Sequence, residues 1–203
     1  MSYPAAMDDT FASLLGDDAA QAFEYERVFR SQIIVAAITL ELQIDRIIAW
    51  YFCSDEAKHP LLYSLIFHDA EVRYSAKVTI LKKLLQLAYP ELSAPFAFLP
   101  RELRKLGELR NKLAHCDIEV APNASSSPAG VTIIRYRNGT RETEFISTDQ
   151  VDMALQTFRT LREALALVLL VIRDTARGVL EPGTVTKLAS FGAPLARKLP
   201  QSK

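Results

Sequence analysis

The sequence predicts a mainly α-helical protein, an all-α bundle of four long helices with a β-hairpin inserted between the third and the fourth. Three observations carry this. Apolar residues recur at helical spacing over long stretches, within about 18–53, 70–89, 100–115 and 149–177. Residues 131–146 break that pattern with two β-rich runs around Asn138-Gly139, the strongest short-range hairpin signal. At 203 residues, 49% apolar and 24% charged, the chain has globular composition and enough length for one sizeable core.

Taken in order, residues 1–17 are small and acidic and read as a flexible lead-in without a targeting peptide. Asp17 or Asp18 can cap the first helix, which runs to about Cys53. At about 100° per residue, Ile33, Ala37, Ile44, Ile48 and Tyr51 form a stripe, widened by Ile34 and Phe52. Glu41 falls inside that stripe and Asp45 at its edge. Residues 54–60 break the helix, and 61–67 read as a short helix or ordered loop. Asp69 is expected to cap the second helix, about 70–89, with Val72, Ala76, Thr79, Ile80, Lys83, Leu84 and Leu87 on one side.

Pro90 and Pro95 punctuate a connection, and Pro100 suits the first turn of a third helix ending at His115. Gly107 inside that helix costs about 1 kcal/mol relative to alanine, which points to a close neighbour. Residues 122–130 (PNASSSPAG) have linker composition, and Ile118 to Val120 could add a third short strand. Thr148 and Asp149 start the last helix, whose 164–172 segment is apolar nearly all round. That segment belongs either to the bundle centre or to a subunit interface. Gly178 ends the helix. Residues 18–180 thus read as one domain, and 181–203 as a partly ordered tail, basic at its end.

The 24 basic and 24 acidic side chains cancel, so no global positive field points to nucleic acid and any RNA contact must be local. Cys53 and Cys116 read as reduced thiols, and the longest apolar run falls far short of a membrane span. A soluble cytoplasmic protein with no membrane partner is expected. The chain carries no Gly-rich phosphate loop, no His-Glu-x-x-His, no Gly-x-Ser-x-Gly and no calcium loop, so neither cofactor nor metal is expected. His59 and His68, beside Pro60 and Asp69, read as solvated or capping.

What remains is ELRNKLAH, residues 108–115. Leu99, Leu103, Leu106 and Leu113 share a helix face with Arg110 in their midst, and Asn111 and His115 stack one turn apart. A guanidinium on a core-facing stripe is costly unless it finds an acceptor. Glu41 is the best candidate, in which case Arg110 is structural and His115 merely ends the helix. The other reading is chemical. Histidine can shuttle a proton near neutral pH, arginine can hold a phosphate and stabilise its developing charge, and asparagine can orient either. Lys112, Arg135 and Arg137, with Lys105 and Arg141, could supply local positive potential for RNA. One such set is thin for an enzyme, but a symmetric dimer would bring two to one groove.

The motif RNKLAH (Arg110 to His115) on the third of four helices resembles the signature of HEPN domains (higher eukaryotes and prokaryotes nucleotide-binding): an arginine, four to six residues beginning with a polar one, then a histidine. The resemblance covers roughly residues 23–177, and Glu41 or Asp45 would match the acidic residue common on the first helix of such domains. It implies a homodimer with both motifs facing a shared cleft. It also implies metal-independent RNase activity, with Arg110, Asn111 and His115 as the catalytic set and a cyclic phosphate end as product. Toxin–antitoxin pairs, phage defence and other stress systems are the settings it implies, with an antitoxin or other protein as a further partner. Other members are non-catalytic nucleotide-binding or protein-interaction modules, and in that alternative Arg110 is structural. The hairpin insertion and the tail depart from the simplest form of the family.

Overall fold

Stretches with apolar residues every three to four positions fold as helices, and the β-branched runs fold as a sheet. The computed structural model describes residues 17–67, 72–120, 130–137, 140–181 and 183–200. In chain order its helices are α1 (Asp17–Phe52), α2 (His59–Leu62), α3 (Tyr74–Leu87), α4 (Pro90–Ser93), α5 (Leu99–His115), α6 (Thr148–Ala176), α7 (Thr184–Ala189) and α8 (Gly192–Arg197). A 3₁₀ turn (Glu56–Lys58) precedes α2 and a π-helical turn (Tyr63–Phe67) follows it. Strands β1 (Asp117–Val120), β2 (Gly130–Arg137) and β3 (Thr140–Ser147) form an antiparallel sheet in the order β1-β2-β3. The protein is therefore mainly helical with a small antiparallel sheet between α5 and α6 in the chain. No helix among the described residues is long and apolar enough to cross a membrane.

The hairpin forms where expected. Arg137 pairs with Thr140, which leaves Asn138 and Gly139 as the connection, and Ile118 to Val120 join as part of β1. Asn138 and Gly139 themselves lie outside the described residues, as do the lead-in before Asp17, Asp69 and the linker 121–129. The described chain falls into two compact units. One is drawn from Met1–Ile34 and Arg110–Asp152, the other from Val35–Leu109 and Met153–Lys203.

In the first unit the buried apolar residues are Phe29, Ile33, Leu113, Ile133, Ile134, Ile146 and Val151. Ile133 and Ile134 are neighbours on β2 and both buried, so this strand is covered on its two faces and does not alternate simply. The start of α6 is fixed one residue earlier than expected. The Ser147 hydroxyl accepts from the Gln150 N–H at 3.3 Å, and Gln150 Oε1 accepts from the Ser147 N–H at 2.9 Å. This reciprocal pair satisfies two donors at the helix start that would otherwise be orphaned.

In the second unit α1 buries Ala36, Ala37, Leu40, Ile44, Ile47 and Ile48, while Tyr51 and Phe52 are exposed. Ile33, Ala37, Ile44 and Ile48 of the expected stripe are thus buried, only its end at Tyr51 and Phe52 is open, and Asp45 is deeper than Glu41. On α3 the buried residues are Lys77, Val78, Leu81, Leu84 and Leu85, whereas Leu87 is 82% exposed. The helix starts at Tyr74, with Arg73 in extended N-cap conformation and no side-chain capping bond, so the expected start near residue 70 fails by a turn. Leu99, Leu103 and Leu106 are buried on α5 as expected.

Gly107 has the close neighbour its cost implied. A Cβ there would lie 2.6 Å from Tyr74 Cε1, and the Tyr74 hydroxyl is held by donating to the Leu103 carbonyl at 2.9 Å. Gly107→Ala should therefore cost roughly 1–2 kcal/mol in urea denaturation despite alanine's better helix propensity. Stability equal to or above wild type would show that the ring moves aside freely.

His59, expected to be solvated or capping, is instead buried. Its Nε2 lies 2.8 Å from the Cys53 carbonyl, and its ring meets Trp50 edge-on with centroids 4.6 Å apart. Trp50 in turn carries the Arg177 guanidinium over its ring at 4.7 Å. On α6, Ala164, Leu165, Val168, Val171 and Ile172 are buried while Ala166 is exposed, so the apolar segment has a covered side and an open one. Gly178, at φ +69°, ends α6 as expected. The Val179 N–H donates to the Asp174 carbonyl and the Gly178 N–H to Thr175, each at 3.0 Å.

The segment after residue 181, expected to be a partly ordered basic tail, contains the short helices α7 and α8. Leu195 and Leu199 are buried, and Gly192 packs so closely that a Cβ would lie 2.5 Å from the Pro95 carbonyl oxygen. Lys198 Nζ bonds Glu163 Oε2 at 3.0 Å. The basic residues of the tail are thus partly used in holding it down.

Candidate functional site

The C-terminal end of α5 presents the motif. Arg110 is half-buried, and its Nη1 donates to Asn111 Oδ1 at 2.9 Å. Asn111 is exposed, and so is His115, the last residue of the helix. The chain leaves the motif through Cys116, whose carbonyl accepts a long 3.4 Å bond from Arg30 Nη2. Helical spacing accounts for the arrangement: Asn111 lies between Arg110 on one side and His115 one turn further on. Among the described residues Arg110 has no carboxylate partner.

Glu41 was expected as that partner, with Asp45 beside it, and here the expectation is corrected. Glu41 Oε1 accepts from Lys77 Nζ at 2.8 Å, and Asp45 Oδ2 accepts from the same nitrogen at 3.0 Å. Lys77 and Asp45 are almost wholly buried, and Glu41 is partly open. The two carboxylates expected to support Arg110 thus bind a cation on α3 instead. Lys77 was missed because a lysine is almost never fully buried unless paired. The available signal was its position in the Val78, Leu81, Leu85 register of α3, one turn from an apolar residue on either side.

Of the residues considered for RNA, Lys112 and Arg135 are brought together, by a residue not considered. Glu144 accepts from Lys112 Nζ at 2.8 and 3.0 Å and from Arg135 Nη2 at 2.8 Å. One carboxylate so engages two of the expected RNA-binding cations, and their free positive potential is reduced. Glu144 follows from the strand register: Arg135 pairs with Glu142, which makes Glu144 its diagonal neighbour on the same face. The side chain of Arg137 lies outside the described residues. No group of three or more His, Cys, Asp or Glu side chains among the described residues comes together as metal ligands would.

Compared with known proteins, the chain matches no family model, no curated protein and no solved structure.

Proposed function

We propose that the chain is a metal-independent endoribonuclease of HEPN type that acts as a homodimer, with α1, α3, α5 and α6 as the four helices of the family's bundle. The observation that carries this reading is the state of Arg110. The residue is half-buried, and its guanidinium bonds a neutral amide at an exposed position, with no carboxylate partner among the described residues. A cation without a counter-charge that is open to solvent is accessible to an anionic ligand, and the planar guanidinium matches phosphate.

In this reading Arg110 holds the scissile phosphate and Asn111 fixes the direction of the guanidinium. His115, exposed at the helix end, takes the proton from the ribose 2′-hydroxyl. The 2′-oxygen attacks phosphorus, the 5′-oxygen of the next nucleotide leaves, and the products are a 2′,3′-cyclic phosphate and a 5′-hydroxyl. The leaving oxygen needs a proton, which His115 of a second copy would supply across a symmetric interface. A role in a toxin–antitoxin, phage-defence or stress system, with an antitoxin as partner, belongs to the same proposal.

A second reading is a non-catalytic module of this fold that binds a protein through its hairpin. Exposed aromatics on the hairpin favour it, with Tyr136 67% and Phe145 42% exposed.

The experiment that separates them is cleavage of a mixed RNA pool in EDTA, with each protein sized by light scattering. Wild type should cleave, and His115→Ala should lose about 10²–10⁴-fold in rate while keeping its oligomeric state. Cleavage retained by His115→Ala would end the nuclease reading. A wild type and variant that are equally inert would move the binding module ahead.

A further inference from the structure

The other end of α5 carries a feature that the motif chemistry does not use. An open cleft of about 360 Å³ is lined there by Lys82 of α3 and by Pro100, Arg101, Arg104, Lys105 and Glu108 of α5. Residues 101, 104, 105 and 108 follow the i, i+3, i+4, i+7 spacing that puts them on one helix face. Four cations line the cleft against one carboxylate, in a chain whose 24 basic and 24 acidic side chains balance in total.

Part of that charge is already engaged. Glu102 Oε1 accepts from Arg101 Nε at 2.7 Å and from Lys105 Nζ at 3.2 Å. Lys82 and Arg104 are exposed and make no ion pair or hydrogen bond among the described residues. Allowing Glu102 its full charge still leaves two cations in excess, which are the number left unpaired. Pro100 sits in the first turn of α5, so the positive end of a seventeen-residue helix adds to the same field. The cleft is larger than one phosphate requires, and the exposed Ala97 gives its wall an apolar surface on which a sugar could rest.

We propose that this cleft binds the phosphate backbone of a polynucleotide, as a contact separate from the Arg110–His115 motif. The inference deepens the proposed function, for an RNA-cleaving protein with no net positive charge needs a local source of backbone affinity. It does not require that cleavage occur. Lysine and arginine side chains that neutralise phosphates release counterions from the strand, so binding at this cleft carries its own salt dependence.

The test is fluorescence anisotropy of a 5′-labelled twenty-nucleotide oligouridylate, titrated with full-length protein over a series of KCl concentrations. A His115→Ala background keeps the probe intact. Lys82→Glu/Arg104→Glu should raise Kd at least about tenfold near 100 mM salt and reduce the slope of log K against log salt by roughly 1.4. Lys187→Glu/Arg197→Glu, which changes net charge equally at two exposed sites elsewhere, should stay within about twofold. Circular dichroism confirms that both variants fold, and Lys82→Gln/Arg104→Gln provides a milder replacement should the reversal fail to fold. An unchanged Kd, or an equal loss in the control pair, would overturn the proposal. So would ADP competing as tightly as the oligomer, since the site would then be for a nucleotide and not a strand. Pocket-dependent binding without any cleavage by wild type would reject the nuclease and keep the cleft. Cleavage with unaltered binding in the pocket variant would do the reverse.

Discussion

Lys77→Ala is expected to lower the unfolding free energy by about 3–5 kcal/mol, the range for breaking a buried ion pair from one side. The side chain is 3% exposed and bonds Glu41 and Asp45 at 2.8 and 3.0 Å, with Asp45 itself 2% exposed. Removing the ammonium leaves both carboxylates without their shared cation, and water replaces it poorly at Asp45. Lys77→Met should be nearly as damaging, because it restores volume without charge. Combining it with Glu41→Gln and Asp45→Asn should recover a substantial part of the loss, since the cost arises from the uncompensated charge. For a chain of this length the single variant should melt roughly 6–20 °C lower. Calorimetry on the three proteins reads this directly. A Lys77→Ala variant within about 1 kcal/mol of wild type would mean that the cluster is hydrated and its charges are not mutually dependent.

On the proposed reading Arg110→Ala should do the opposite: lower RNA cleavage strongly and leave stability almost untouched. Its hydrogen bond runs to the exposed amide of Asn111, and no carboxylate among the described residues depends on it. The loss in unfolding free energy should therefore stay below about 1 kcal/mol. RNA cleavage should fall by about 10²-fold or more, as expected when a group that stabilises developing phosphate charge is removed. Arg110→Lys should restore little, because an ammonium lacks the planar fork. The structural reading of Arg110 predicts a stability loss of several kcal/mol with nothing to lose in cleavage. Paired denaturation and cleavage curves for one protein thus separate the two.

Much of the helix and strand order was legible because it rests on local pattern. The third-helix stripe of Leu99, Leu103 and Leu106, the stop at Gly178 and the Asn-Gly hairpin each follow from spacing or turn chemistry within a few residues. Rotation of a helix about its axis was less legible. On α3 two apolar registers coexist, and the one that won has Lys77 in it, a choice made by Glu41 and Asp45 more than thirty residues away. The same long-range bonding reassigned the supposed partner of Arg110. Glu144 was invisible until the strand register was known, and the six-residue helices α7 and α8 are too short for any periodicity to register. The motif residues themselves were named from sequence, and their geometry adds the orientation of Arg110 by Asn111.

The strand order β1-β2-β3 leaves β3 at the rim of the sheet, with no further strand bonded along its outer side among the described residues. Arg141, Glu142 and Glu144 lie along it, so an approaching extended segment would have to strip water from charged side chains before its own peptide groups could bond. The rim is therefore guarded against unlimited strand-to-strand growth between copies.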